Sequence, residues 1–277
     1  MVGGLVVALG LGASVLAALG AVTAAAAEGA PDASLRGDLQ AVARLKVFFG
    51  HQSVGGNVLE GLQRLSAAQG GLLSVREAAD AALAGPGLAH AYVGTNGDPA
   101  SKLAAFDRAL GPSANVDVAL VKLCYVDITE RTDVQQLFAS YQATVAAVRA
   151  RHPSLVIVHV TTPLVADQGW LTTTAKRLLG RGAGAIADNQ RREAYNELLR
   201  KAYQGREPIF DLARLESTRQ DGSAERAAYE GAKIPALVPG YTDDGSHLNP
   251  VGQDRAAREL VRVLAAAVPR AGPQGSP

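Results

Sequence analysis

The chain alternates short apolar runs with longer stretches in which apolar residues recur every three or four positions. Leu45-Lys46-Val47-Phe48-Phe49 is the first run; Leu88–Val93, Val116–Leu123, Leu155–Val160 and Pro208–Leu212 follow it. Their length and content predict five β-strands. Between them, Val58, Leu59, Leu62 and Leu65 recur at helical spacing up to a Gly70-Gly71 stop. Residues 100–110 read as a second helix. Val134, Leu137, Phe138, Tyr141, Val145 and Val148 mark one face of a third, behind a Thr132…Gln135 capping-box signature. Tyr195, Leu198, Leu199 and Ala202 line a fourth, and Ala257, Leu260, Val261, Leu264 and Val268 a fifth that opens at Pro250, where a missing N–H costs nothing. Strands alternating with helices predict an α/β fold, a five-stranded parallel sheet covered on both faces.

The stretches without periodicity divide into turns and unreadable segments. Gly94-Thr95-Asn96-Gly97-Asp98-Pro99 is a loop by its turn residues. Residues 216–241 are polar, irregular and long for a connection, which predicts a functional surface loop. Residues 78–87 and 164–189, the latter holding the only tryptophan, Trp170, give no clean pattern.

The ends differ from the middle. Residues 2–27 carry no charge and are almost wholly apolar or small, and Ala24-Ala25-Ala26-Ala27-Glu28 offers small residues where a signal peptidase cuts. The expectation is a signal peptide over 1–27, although no Lys or Arg precedes the apolar run; the alternative is an uncleaved anchor, since ~20 apolar residues span a bilayer. Either places the remainder outside the cytoplasm, secreted or periplasmic in the first case and membrane-anchored in the second. Residues 28–44 read as a polar linker, 45–268 as one domain, and 269–277 as a disordered tail.

Composition removes several functions. A formal charge of +1 over 277 residues gives no electrostatic case for a nucleic-acid partner. A single cysteine, Cys124, excludes an intrachain disulfide and any multi-cysteine metal site. No metal or organic cofactor is called for.

Two stretches carry candidate chemistry. Gly50-His51-Gln52-Ser53-Val54-Gly55-Gly56-Asn57 joins the first strand to the first helix, the position at which a serine can present its Oγ at the carboxyl edge of a sheet. The plain alternative is a glycine-rich turn capped by serine; a phosphate loop fails for want of the Gly-Lys-Ser/Thr ending. Late in the chain, Asp243-Asp244-Gly245-Ser246-His247-Leu248-Asn249-Pro250 places an aspartate three residues before a histidine, ahead of the last helix. Such an aspartate can orient the imidazole through Nδ1–H and leave Nε2 to take a proton from a serine.

An early serine after strand one and a late Asp-x-x-His before the last helix resemble the SGNH (GDSL-like) serine hydrolases, over roughly residues 45–268. The resemblance implies a flavodoxin-like three-layer α/β/α sandwich and a serine esterase with Ser53, His247 and Asp244 as its triad. Where the family's first block reads Gly-Asp-Ser, this chain reads His51-Gln52-Ser53. The last block matches through Leu248-Asn249-Pro250 and Gly252. The second block resembles Asn96-Gly97-Asp98, so the resemblance implies oxyanion donors from Ser53 and Gly97, with Asn96 beside them. The third block, Gly-x-Asn-Asp in the family, is here Cys124-Tyr125-Val126-Asp127 and lacks the asparagine. Asn57, Asn96, Tyr125 or Lys122 are the side chains that would stand in for it. The implied substrate is a small-molecule or carbohydrate ester, the second enzyme reading an O-acyltransferase, and the non-enzymatic one a carbohydrate-binding module on the same fold. A membrane is a partner only if the N-terminal segment is retained.

The other polar residues have plainer readings beside functional ones. His51 either lines the site or anchors its turn, and Asp127 is either a site residue or a helix-start carboxylate. His159 reads as a satisfied core histidine, His90 and His152 as structural or exposed, and Arg191-Arg192-Glu193 as a solvated helix face.

Overall fold

The structure is a computed structural model that describes residues 33–78, 81, 85–167 and 186–267. The expected signal segment, the C-terminal tail, Trp170 and most of 164–189 lie outside the described residues.

Among the described residues seven strands pair in parallel. β1 (Lys46–His51) pairs with β3 (Gly87–Tyr92) on one side and β4 (Val118–Val121) on the other. A short β2 (Val75–Glu77), which the sequence pattern does not announce, extends the β3 edge, and β5 (Val156–Ile157) extends β4, giving a five-stranded order β2-β3-β1-β4-β5. Beyond Val158 the chain changes partners: β6 (His159–Val160) pairs with β7 (Ile209–Phe210) as a separate ladder. The single strand expected over 155–160 is thus two short ones. The five-stranded parallel α/β fold is the class the pattern predicts, although β2 and not the run over 208–212 completes the sheet; β1 sits at its centre, buried on both faces.

Alternation along β1 and β4 divides the core. Val47, Phe49, Val118 and Leu120 point to one face, with the buried residues of α1 (Ala33–Val42), α2 (Val54–Ala68) and the last helix, α7 (Pro250–Ala267). Phe48, Ala119 and Val121 point to the other, with α3 (Pro99–Ala109), α4 (Val134–Arg151) and α5 (Ile186–Tyr203). Three layers result. On the first face α2 and α7 approach closely: a Cβ on Gly61 would lie 2.4 Å from the Gln253 carbonyl oxygen. That contact brings the start of α2 against the loop that feeds α7.

Three expectations need correction. Residues 33–42 of the expected linker form α1, whose Leu35, Leu39 and Val42 are buried; their i, i+4, i+7 spacing is an amphipathic stripe. The 216–241 segment is not irregular: after α6 (Leu212–Glu216) it folds into an antiparallel hairpin, β8 (Arg226–Tyr229) and β9 (Ala232–Pro235). Glu230 (φ 48°) and Gly231 (φ 79°) make its two-residue turn. Finally, α4 is capped by Asp133, which accepts from the N–H groups of Gln135 and Gln136, while the Thr132 hydroxyl accepts from Thr129 N instead.

Candidate active site

Ser53 follows β1 and precedes α2, at the carboxyl edge of the central strand. Its backbone has φ 46° and ψ −110°, a region that costs a residue bearing a Cβ on the order of 1–3 kcal/mol. As the residue before α2 it is the natural cap, yet its side chain caps nothing. The Oγ lies 2.7 Å from His247 Nε2 instead. The serine is turned out of the helix toward the late loop.

The local packing that enforces this turn is specific. A Cβ on Gly55 would lie 2.4 Å from the His51 side chain, so only glycine lets the helix start over that imidazole. Gln52 donates through Nε2 to the Gly94 carbonyl at 2.9 Å, tying the turn to the loop after β3. Cys124 thiol reaches the Gln52 carbonyl at 3.7 Å from the other side.

The late loop is equally determined. Asn249 Oδ1 accepts from Val251 N and Gly252 N at the start of α7, and Pro250 occupies its first turn. A side chain on Gly252 would press within 2.7 Å of the Tyr241 carbonyl. Gln253 Nε2 donates back to the Leu248 carbonyl at 2.9 Å, and Leu248 N donates to Asn57 Oδ1 at 3.3 Å, joining the loop to α2. His247 Nδ1 lies 2.7 Å from Asp244 Oδ2, while Asp244 Oδ1 accepts from the backbone N–H of His247 and Ser246, both at 2.8 Å. Partial burial pushes the Asp244 carboxyl up, but these donors outweigh it and hold it at about 2. Asp244 is therefore an anion at neutral pH.

Ser53, His247 and Asp244 thus form one hydrogen-bonded line, and the structure distributes the other candidates around it. Tyr125 meets His247 with ring centroids 5.8 Å apart at 78°. Asn57 spends its carbonyl oxygen on Leu248. Gly97 is not free: its N–H donates to Asp127 Oδ1 at 2.8 Å. Asn96 accepts through Oδ1 from Lys102 Nζ at 2.8 Å. Asp127 itself is buried, pairs with the buried Lys102 ammonium at 2.6 Å and accepts from Cys124 N at 2.6 Å. The carboxylate binds the second-block loop to the third-block turn; it is an anchor. By contrast, the N–H groups of Ser53 and Gly94 have no hydrogen-bond partner among the described residues.

His51 does not line the site. It is fully buried, with Nε2 3.1 Å from His90 Nδ1, and burial followed by the nearby His90 and Lys122 pushes it down to about 3. The neutral ring is the floor under Gly55. Lys122, also buried, places Nζ 3.2 Å from both the Leu123 carbonyl and Cys124 Sγ. Among the described residues no cluster of three or more His, Cys, Asp or Glu would hold a metal ion.

One functional neighbour escapes sequence reading. Arg192, expected on a solvated face, is buried; its Nε donates to the Tyr125 carbonyl at 2.8 Å and Nη1 to Asn189 Oδ1 at 2.7 Å. Its spacing to Tyr195 and Leu199 puts it on the buried stripe of α5, and that periodicity was the available signal.

No protein-family model matches the chain, and no curated protein matches it. Solved structures do. A Streptococcus pneumonia protein provisionally described as a platelet activating factor superposes with a TM-score of 0.52 at 15% identity, over 84% of this chain and 92% of that one. A GDSL-like lipase from Bacteroides thetaiotaomicron VPI-5482 does so with a TM-score of 0.50 at 13% identity, over 80% and 88%. At such identities the likeness is one of fold. The fold is that of the GDSL-like proteins.

Proposed function

We propose that the protein is a serine esterase that hydrolyses carboxylic esters through Ser53, His247 and Asp244. The observation that carries this reading is the orientation of Ser53. A serine before a helix would ordinarily cap it; here the hydroxyl gives up that role, at the expense of a strained backbone, to sit 2.7 Å from an imidazole. Strain retained in a turn is the mark of a nucleophile elbow more than of a binding surface.

The chemistry follows from the contacts. His247 Nε2 takes the Ser53 proton as Oγ attacks the acyl carbon, and Asp244 steadies the imidazolium that forms. Charge on the acyl oxygen falls to the N–H groups of Ser53 and Gly94, both unpartnered among the described residues, the latter held beside the elbow by Gln52. This replaces the Gly97 expected from the family pattern, whose N–H is already committed to Asp127. His247 returns its proton to the departing alcohol and then activates water to release the acid. Delivery of the acyl group to a second alcohol would use the same intermediate.

The site supports a hydrophilic alcohol portion. Asp244 and His247 side chains are 55% and 43% exposed, so the ester enters from open solvent rather than from an enclosed apolar cavity. Tyr92 at the end of β3, beside His51 in register, is 57% exposed and offers a ring face on which a pyranose can stack. An O-acetylated carbohydrate fits these features, and the uncharged apolar residues 2–27 favour an extracytoplasmic location for it. Among the described residues, no helix is long and apolar enough to cross a membrane.

The test is p-nitrophenyl acetate turnover by the protein beside Ser53→Ala. The variant should lose on the order of 10³-fold or more in kcat. Equal rates would overturn the esterase reading, whereas covalent labelling of Ser53 by a fluorophosphonate without net hydrolysis would favour acyl transfer.

A further inference from the structure

His247 is held loosely by comparison with what it is asked to do. Its side chain is 43% exposed and its carboxylate partner 55% exposed. Hydrogen bonds open to water compete with hydrogen bonds to water itself. Two such contacts leave the imidazole free to exchange them for water and swing away from Ser53. A third restraint is needed, and one side chain supplies it.

Tyr125 stands in the turn after β4, one residue before Val126, which holds the position of the family pattern's asparagine. Its ring meets the His247 ring at 78°, with centroids 5.8 Å apart, the edge-to-face geometry that aromatic pairs prefer. Its hydroxyl lies beside the side chain of Ser246, the residue before His247, which draws the phenol down against the burial that pushes it up. Tyr125 therefore flanks both the imidazole and the residue before it. It does not complete the hydrogen-bonded line; it walls one side of it.

Tyr125 is itself only half-buried, so its position has to be imposed. The imposing group is Arg192. The guanidinium lies 5.8 Å over the Tyr125 ring centroid while its Nε donates to the Tyr125 carbonyl at 2.8 Å. Arg192 is buried and cannot drift: Nη1 donates to Asn189 Oδ1, Nη2 contacts Asp188 at 3.4 Å, and Asn189 in turn bonds the backbone of Val165 and Pro235. The same helical turn grips the far end of the Tyr125 segment, since Arg191 Nε donates to the Glu130 carbonyl and Glu130 N to Asp188. A buried guanidinium whose carboxylate partner, Asp188, stands 3.4 Å from Nη2 is a costly structural element even so. A restraint on His247 gives it a use.

We infer that Tyr125 is the positioning residue of His247, fixed in place by the buried Arg192 guanidinium; this rests on the esterase reading of the triad. Tyr125 acts on the imidazole and not on the ester, so its loss reduces kcat and leaves KM nearly alone.

The experiment compares Tyr125→Leu and Tyr125→Phe with the unaltered protein, each checked for folding by thermal unfolding. Turnover of p-nitrophenyl acetate is read as separate kcat and KM values, and the Nδ1–H proton of His247 is followed by NMR. Tyr125→Leu should lower kcat on the order of 10- to 100-fold, the scale of a catalytic group displaced by about an ångström, with KM within threefold. Its Nδ1–H resonance should broaden or vanish. Tyr125→Phe, which keeps the ring and loses only the Ser246 contact, should recover kcat to within a few-fold and restore the resonance. Should the leucine variant fail to fold, Tyr125→Met takes its place. An undiminished kcat with a sharp Nδ1–H signal in the leucine variant would overturn the inference. So would a raised KM at constant kcat, which would put the ring against substrate. If Ser53→Ala hydrolyses the ester as fast as the unaltered protein, it is the esterase reading that falls, and the NMR comparison alone decides whether Tyr125 restrains His247.

Discussion

Two histidines of this protein each stand between a hydroxyl and a carboxylate. His247 Nε2 faces Ser53 Oγ at 2.7 Å and its Nδ1 faces Asp244 at 2.7 Å. His159, at the start of β6, faces Tyr141 Oη at 2.6 Å through Nδ1 and Glu207 Oε2 at 2.9 Å through Nε2. The partners are the same in kind, with the two ring nitrogens exchanged; the surroundings are not. The His159 ring is fully buried and lies flat on Tyr203, 3.5 Å between centroids at 9°. Burial of Tyr141, with Tyr195 and Tyr203 beside it, pushes its phenol well above the ordinary range. Glu207 is occupied by Arg149 as well, and it borders a cavity of about 370 Å³ whose lining includes Gln204, Asp211 and Arg262 and no residue of the Ser53 array. A hydroxyl that cannot ionise and cannot meet solvent is a core hydrogen bond. What distinguishes the first array is access and a strained donor, not the pattern of atoms.

The sharpest way to break this comparison is to remove each histidine in turn. His247→Gln should lower kcat for p-nitrophenyl acetate on the order of 10³- to 10⁴-fold. His159→Gln should leave kcat within a few-fold and show its effect in thermal unfolding. Loss of turnover in a folded His159→Gln protein would mean that the buried array serves the reaction, and the contrast would collapse.

A second, smaller effect should separate the arrays by pH. Burial pushes His159 down to about 4 from 6.5, against the opposing pull of Glu207. A depressed folded-state value means that its contribution to stability is fully present above pH 6.5 and is lost as pH falls through about 4. A shift of this size is worth on the order of 3 kcal/mol. The stability of the unaltered protein relative to His159→Gln should therefore be greatest at pH 7 and shrink by about that amount at pH 4, measured by urea unfolding. A difference constant across that range would show that the His159 site does not exclude the proton.

The two arrays also differ in how far the chain announces them. Ser53 and Asp244-x-x-His247 are legible because both lie at element boundaries, where Gly55, Pro250 and Gly252 punctuate the pattern. His159 is legible as core because it sits in an apolar run. The parallel sheet and both helical layers follow from apolar runs and 3.6-residue spacing. What resists reading is pairing over long sequence separation between polar groups. Lys102 with Asp127 and Arg192 with the Tyr125 carbonyl look, one residue at a time, like ordinary surface charges. Their burial depends on where α3 and α5 pack against the turn after β4. Gly97 shows the same limit: a glycine with φ 85° in the expected loop fits an oxyanion donor until Asp127, thirty residues on, claims its N–H. β2 is missed because three half-exposed residues carry no period.

The smallest predicted effect tests the strain that sets Ser53 apart from Tyr141. Ordinarily glycine is less stable than alanine by about 0.5–1 kcal/mol, because the unfolded chain gains freedom. At φ 46° and ψ −110° the Cβ is the liability, so the order should invert. Ser53→Gly and Ser53→Ala both lose the hydroxyl and its exposed contact with His247, so that loss cancels between them. The difference reports the backbone alone. Ser53→Gly should be the more stable of the two by about 1 kcal/mol, the part of a 1–3 kcal/mol strain that survives the entropic cost of glycine. Urea unfolding of the two variants side by side measures it. Alanine more stable than glycine would mean an unstrained turn, and Ser53 would lose the feature that separates a nucleophile elbow from a capped loop.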